Sequence, residues 1–430
     1  SGADVEAIIT EVSWNSPPLL SLFTPQELSN TLWGLARIGA GPEGKDTAPA
    51  SLAAVRFALA VIPASTTRVP EFSAQCLSNS IYAMAKLNLQ GYEVEAFSHA
   101  CVMQFHTSRF CDITTQGLAN SLWAITKLRL SREVAVSFCI DAASQVTCRR
   151  SWLRDFLPQE LSMALWAVSK VVGHGIPTKH GSGGYGRRND FRLPREVESF
   201  ALAVAEEASR RLGECGIADF GQRAPQCLSN IAGALVKMEL TRQQAARDFI
   251  LAAAAASAKR GLGYWPTQAI ANFLWALGRV QSGSEELAAF GLAAVHEAFE
   301  RTWDFTWPDL SSIASSLMHV GLSRIAEVRA FATFLVTQAA GCYGKISTWA
   351  LLNIALAAVR LGVDPQTLTP MAWGIAEVFA PRMDKLNDID LRQWMEVQRY
   401  CGLPGSNNLP NRRPMRGFHK GGHHGRHYEQ

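Results

Sequence analysis

Apolar residues recur along this chain with helical spacing, and the helical pattern itself recurs. Leu28, Leu32 and Leu35 share one face of a helix at 100° per residue. The same face is rebuilt behind a series of anchors: Leu28, Leu77, Leu118, Leu161, Leu228, Ile270, Leu310, Leu351 and Leu391. The successive intervals are 49, 41, 43, 67, 42, 40, 41 and 40 residues, so six of eight lie between 40 and 43. The two long intervals hold inserts, Gly39–Lys45 and His174–Arg192. A fixed period of this length is the mark of a repeat array, in which each hairpin buries its apolar face only against its neighbours.

The first helix of each repeat is typified by Gln26-Glu-Leu-Ser-Asn-Thr-Leu-Trp-Gly-Leu-Ala-Arg-Ile38. Equivalents begin at Gln75, Gln116, Gln159, Gln226 and Gln268, and more loosely at Pro308, Trp349 and Ile389. Ser, Thr or Asp with Pro, and often an aromatic, stands just ahead, as in Phe23-Thr-Pro25 and Trp265-Pro-Thr267. These are N-cap and hydrophobic-staple signals. Gly39, Gly173 and Gly321 read as stops. Ala- and Val-rich second helices are predicted over Ser51–Ile62, Tyr92–Phe105, Arg132–Val146, Pro194–Leu212, Arg242–Lys259, Glu285–Glu300, Ile325–Ala339 and Pro365–Phe379. Strand signals are weak throughout. The expected fold is all-α: an α-solenoid, or superhelix, of about nine helix–turn–helix repeats of about 40 residues. It should occupy residues 1–403, with a basic Gly-rich insert at 174–192 and an extended or disordered His/Gly/Arg-rich tail at 404–430.

A second stripe lies opposite the leucines on the first helix, at i, i+4, i+7 and i+11. It reads Gln26/Asn30/Trp33/Arg37, then Gln75/Asn79/Tyr82/Lys86, Gln116/Asn120/Trp123/Lys127, Gln159/Met163/Trp166/Lys170 and Gln268/Asn272/Trp275/Arg279. A degraded copy, Gln226/Asn230/Gly233/Lys237, follows the long insert, and Asn353 with Arg360 keeps two of the four positions. Repeated identity suits a shared packing role better than base reading, whose side chains should vary with the base contacted. Asn30, Asn79, Asn120, Asn230, Asn272 and Asn353, with Trp33, Trp123, Trp166 and Trp275, are therefore expected to form a structural ladder between repeats, the amides bonding a neighbour's backbone. The cations Arg37, Lys86, Lys127, Lys170, Lys237, Arg279 and Arg360, with His319 in a further repeat, hold one sign from repeat to repeat. A ridge of like charges suits a phosphate backbone. Charge placed at helix ends for dipole and solubility reasons is the other reading, and the sequence leaves both open.

Charge distribution sharpens this picture. The net charge of +4 over 430 residues equals the excess within Gly402–Gln430, where Arg412, Arg413, Arg416, Lys420 and Arg426 face Glu429. Lys179, Arg187, Arg188, Arg192 and Arg195 concentrate positive charge in the insert region against Asp190. A nearly neutral body with two basic Gly-rich appendages results. Hydrophobic residues at 48% against 18% charged supply ample surface for a core. The nine cysteines include no C-x-x-C pair and read as reduced core residues, which favours an intracellular or organellar matrix. No apolar run suits a membrane span. The chain starts at Ser1 without a signal-like segment, so any targeting segment is expected to lie outside it.

The segments Leu28–Ile38, Leu77–Leu87 and Leu118–Leu128 share a Leu-Ser/Ala-Asn-x-Leu/Ile-Trp/Tyr-Ala/Gly-x-Ala/Thr-Lys/Arg-Leu/Ile core. That core resembles octotricopeptide repeats and the related helical repeats of FAST-kinase-like and RAP-domain proteins. The resemblance covers about residues 20 to 403. It implies an organellar RNA-associated protein, mitochondrial ahead of plastid, acting on mRNA or rRNA in RNA maturation or translation or as part of a divergent mitochondrial ribosome, with ribosomal or other ribonucleoprotein subunits as further partners. The Pro-Pro-Pro-Glu-Trp element of many members is absent, and no base-reading code is carried over.

Other chemistry is thin. The tail run His419–His427 groups histidines without imposed geometry or an acidic or thiol ligand, and no metal is expected. Gly181–Gly186 follows no strand and lacks the Lys-Ser/Thr of a phosphate loop. No G-x-S-x-G, H-E-x-x-H or plausible Cys–His pair occurs, so no catalytic residue and no cofactor is expected. The RNA-binding candidates are Arg37, Lys86, Lys127, Lys170, Lys237, Arg279 and Arg360, with Lys179, Arg187 and Arg188 of the insert and Arg412, Arg413 and Arg416 of the tail. The alternative from another class is a protein–protein scaffold that holds a peptide or helix in a concave groove.

Overall fold

The computed structural model describes residues 9–12, 15, 17–39, 52–173, 176–177, 191–280, 283–379 and 386–403. The chain divides into two compact units, Ser1–Leu322 and Ser323–Gln430.

In the first unit, helices alternate between two layers. One layer holds α1 (Pro25–Gly39), α3 (Ala74–Lys86), α5 (Thr115–Ile125), α7 (Pro158–Val172), α9 (Ala224–Lys237), α11 (Thr267–Leu277) and α13 (Trp307–Val320). The other holds α2 (Leu52–Thr66), α4 (Tyr92–Thr107), α6 (Arg132–Cys148), α8 (Arg195–Cys215), α10 (Gln244–Arg260) and α12 (Glu285–Glu300). Each helix packs on the next of its own layer, in sequence order, and on its hairpin partner. This is the packing logic of an α-solenoid. Among the described residues the only extended pairing is a two-residue antiparallel bridge, Ile176–Pro177 with Phe191–Arg192, at the base of the long insert.

Local chemistry explains where the helices begin. Side chains of Ser73, Thr114, Ser131 and Thr306 accept from backbone N–H groups of the first turns of α3, α5, α6 and α13. Thr24 and Glu27 bond reciprocally at the start of α1, with Thr24 N donating to the Glu27 carboxylate at 2.7 Å. Each such cap satisfies an otherwise orphaned donor. The stops are less uniform than the sequence suggests. Gly321 adopts the left-handed φ of 81° that a glycine stop supplies, whereas Gly173 stays right-handed at φ −61°.

The core lies between the layers. The anchor leucines from Leu28 to Leu310, with Ile270, are almost fully buried. Opposite them runs a column that the repeat motif does not announce: Phe57, Phe97, Phe138, Phe200, Phe249 and Phe290, all buried near the start of successive second helices. Aromatics ahead of the first helices join it. Phe72 meets Phe97 with centroids 6.1 Å apart, and Trp265 packs edge-on to Phe273 and Phe290.

A second device closes individual repeats. An arginine at or near the end of a second helix reaches back to carbonyls in the turn before its own repeat's first helix. Arg68 donates to Phe23 O. Arg211 donates to Leu153 O and Arg154 O at 3.2 and 3.1 Å. Arg301 donates to Gly263 O and Trp265 O at 3.0 and 3.2 Å. Each is oriented by an acid: Glu71, Glu207 and Glu297 respectively. The guanidinium fork suits the task because it holds carbonyls and a carboxylate together. Burial would raise the Glu207 carboxyl, but hydrogen bonds from Arg210 and Arg211 outweigh it and hold that group below the usual carboxylate range.

The second unit contains α14 (Ala326–Ala340), α15 (Thr348–Arg360), α16 (Pro365–Phe379) and α17 (Asp388–Cys401). Here α15 packs on α14, α16 and α17, and α16 packs on α14 and α17. Phe331 on α14 continues the phenylalanine pattern, and Trp394 is buried against Phe379 with centroids 5.4 Å apart. Tyr400 donates to Val363 O at 2.8 Å and fixes the last helix to the loop before α16.

Candidate nucleic-acid interface

The stripe opposite the leucines lies on the outer side of the first-helix layer, and its members divide by depth. Asn30 and Asn272 are exposed, while Asn79, Asn120, Asn230 and Asn353 are half-buried. None of them bonds the backbone of a neighbouring repeat among the described residues; Asn230 instead accepts from Gln226 of its own helix at 2.8 Å. In the first repeat the residue before the asparagine makes such a bond: Ser29 donates to Cys76 O at 3.0 Å. The reason is angular. One position earlier on the helix points 100° away, towards the adjacent first helix, while the asparagine position points outwards. Ser78, Ser162, Ser229 and Ser311 are buried at the same position, but their hydroxyls donate to carbonyls three residues back in their own helices.

The tryptophans are not core residues. Trp33 is 42% exposed, and Trp123, Trp166 and Trp275 are half-buried. Their rings carry the cations of the stripe. The Arg37 guanidinium stands 5.2 Å from the Trp33 centroid, the Lys170 ammonium 5.3 Å from Trp166, and the Arg279 guanidinium 4.9 Å from Trp275. Trp123 takes two, Lys127 of its own helix at 6.0 Å and Lys86 of the preceding repeat at 5.4 Å. The Tyr82 ring meets Trp123 at 5.2 Å, so these two positions of the column touch across the repeat boundary. The i to i+4 spacing of ring and cation places one over the other within a helix. Contacts within about 6 Å of this kind contribute about 0.5–1 kcal/mol at exposed sites.

Electrostatics separates the cations. Arg37, Lys127, Lys170 and Lys237 form no ion pair with an acid among the described residues. Partial desolvation lowers the ammonium of Lys237, a residue still exposed to solvent, below the ordinary lysine range, and nearby Lys170 lowers it further. Two like charges are thus held together without a counter-charge. In the second unit the pattern inverts. Arg360 is bound by Glu396 through two 3.1 Å hydrogen bonds, and Glu396 occupies the tryptophan position of the final repeat. Leu356, at that position in α15, is buried. Arg360 is therefore separated from the other candidates by a carboxylate that the repeat pattern does not pair with it. Lys179, Arg187 and Arg188 of the insert, and Arg412, Arg413 and Arg416 of the tail, lie outside the described residues.

Among the described residues no group of three or more His, Cys, Asp or Glu is arranged to hold a metal ion. No helix there is long and apolar enough to cross a membrane. Of the nine cysteines, Cys76, Cys101, Cys139 and Cys227 are buried, and burial drives the Cys139 thiol up to about 12. Cys111, Cys148 and Cys215 are exposed, so the reading of cysteines as core residues holds for only part of the set.

No protein-family model and no curated protein matches this chain.

Proposed function

We propose that this protein is a noncatalytic RNA-binding solenoid of about nine repeats, related to octotricopeptide-repeat proteins. It acts on organellar mRNA or rRNA, in mitochondria ahead of plastids, during RNA maturation or translation or within a divergent ribosome. One observation carries the reading: first helices in residues 1–322 present cations supported on half-exposed indoles, and Arg37, Lys127, Lys170 and Lys237 have no acidic partner among the described residues. Helix-end charge alone is worth only a few tenths of a kcal/mol and does not need an aromatic support. A row of supported cations with unspent charge matches a phosphodiester backbone. The basic insert and tail would add non-specific contacts.

The test is RNA affinity measured across salt concentrations. Affinity should fall steeply with log[salt]. The combined variant Lys86→Glu, Lys127→Glu, Lys170→Glu should flatten the slope by about 2, since each phosphate neutralised on a single strand accounts for about 0.7 of it. Salt-independent binding to a protein, with no RNA bound at low salt, would favour a protein-interaction scaffold. RNA crosslinking in the organelle followed by sequencing names the target.

A further inference from the structure

Acidic residues keep to one place on the first helices. Glu27 on α1, Glu160 on α7 and Asp309 on α13 lie in the first turn, where each accepts from a backbone N–H just ahead of its helix. Helices α3, α5, α9, α11 and α15 contain no acid at all. On α17, Asp388 and Asp390 also keep to the first turn, but Glu396 does not. Among the described first helices Glu396 is the one acid beyond the first turn.

Its place in the repeat gives this exception a meaning. Lys86 and Arg360 both stand nine residues after their anchors, Leu77 and Leu351. Trp123 and Glu396 both stand five residues after theirs, Leu118 and Leu391. In the first unit the Lys86 ammonium reaches across to the Trp123 ring of the next first helix, 5.4 Å from its centroid. In the second unit Arg360 makes the same crossing to its next first helix. There it meets Glu396, with Nε donating to Oε1 and Nη2 to Oε2, each at 3.1 Å. One inter-repeat contact is thus built twice, once onto an indole and once onto a carboxylate. An indole supports the cation and leaves its charge free to act on a ligand. A carboxylate cancels that charge. Both partners of the pair are partly exposed, and such pairs contribute little to stability, so holding the hairpins together does not account for the exchange.

We propose that Glu396 is a specificity-determining residue: it withdraws Arg360 from phosphate binding and so confines the RNA-contacting cations of the first helices to residues 1–322. An arginine offers a phosphate the same two-pronged edge that it offers a carboxylate. Glu396 therefore occupies the edge of Arg360 that a phosphodiester would take, and its own charge repels the strand. Arg360 keeps the sequence position of a phosphate contact without the free charge that the role needs. The inference rests on the RNA reading above and limits it, by naming the residue that takes one cation of the series out of use.

The test uses the full chain and labelled polyuridylate, with affinity measured by anisotropy across salt. Glu396→Gln should free Arg360, raise affinity several-fold at low salt and steepen the salt slope by about 0.7, the share of one phosphate on a single strand. Glu396→Trp, which installs the repeat's own residue beside the arginine, should do the same and keeps the test open if the glutamine variant folds poorly. Arg360→Ala added to either variant should cancel the gain. Arg360→Ala alone should leave affinity and slope unchanged, because its charge is already spent on Glu396. Weaker binding by Arg360→Ala alone, or no gain in either Glu396 variant, overturns the masking role and leaves the RNA reading standing. A gain that survives Arg360→Ala also overturns it, since Glu396 would then act by simple repulsion. Failure of the wild type to bind polyuridylate at low salt overturns the RNA reading and the masking role with it.

Discussion

The Lys86 ammonium lies 5.4 Å from the centroid of the Trp123 indole, a residue of the following repeat. Lys127 stands over the same ring and Tyr82 touches it from the Lys86 side, so one half-exposed indole joins two repeats. Trp123→Ala should therefore cost about 1–2 kcal/mol: more than a free surface residue, and well short of a buried aromatic. Urea unfolding of the variant measures it. A loss of about 4 kcal/mol, the scale of a buried aromatic, would mean that the column is core after all.

Trp265 supplies the contrast. It is 1% exposed, packed against Phe273 and Phe290, and its indole N–H has no hydrogen-bond partner among the described residues. Trp265→Ala should cost about 3–5 kcal/mol through the cavity it leaves. Trp265→Phe should cost far less, because it removes an unsatisfied buried donor along with part of the ring. Comparable losses for both substitutions would place a hidden partner on the indole nitrogen.

Arg301 bonds two carbonyls in the turn before its own repeat's first helix and is oriented by Glu297 and Asp304. Arg301→Lys should fail to rescue Arg301→Ala, since an ammonium cannot reproduce the planar fork. Both should lose about 1–3 kcal/mol and accelerate amide exchange around Gly263–Trp265. Full rescue by lysine would show that only the charge matters.

Lys237 trades stability for charge. Its folded pKa is lowered, first by partial desolvation of a residue that remains exposed and then by Lys170, so the charged form is somewhat disfavoured in the folded chain. Its stabilising contribution is fully present only above the unfolded pKa and is lost as pH falls through the lowered folded value. Lys237→Met should raise the melting temperature at pH 7, lose that advantage in alkaline solution, and weaken RNA binding. A lower melting temperature at pH 7 would contradict the assignment.

Glu207 titrates in the opposite regime. Arg210 and Arg211 overcome its burial and hold its pKa below the unfolded value, so it stabilises above the usual carboxylate range and loses that contribution as pH falls through the folded value. Glu207→Gln should destabilise at neutral pH and reduce the acid sensitivity of unfolding across the mildly acidic range. An unchanged pH profile would exclude the network from acid unfolding.

The sequence by itself determined the helical hairpins, their period and most of their boundaries. Glu285–Glu300 and Pro365–Phe379 have the predicted bounds, and most other second helices run one to three residues beyond theirs. Local signals suffice there, because capping and the 3.6-residue spacing act within a few residues. Leu28 and its equivalents were legible for the same reason. The phenylalanine column was equally periodic, Phe97, Phe138 and Phe290 included, but it sits in helices whose other positions drift.

Only the tertiary structure decided the role of each face. Whether Ser29 or Asn30 meets the next repeat depends on the rotation of one helix against another, which no single-helix pattern contains. The pairing of Arg360 with Glu396 joins residues 36 apart. The closeness of Lys170 and Lys237 spans the whole long insert. Charge pairing is set by distance in space, and sequence separation conceals it. The cation stripe was thus visible in the chain, but the indoles beneath its members, and the carboxylate that neutralises one of them, were decided by packing.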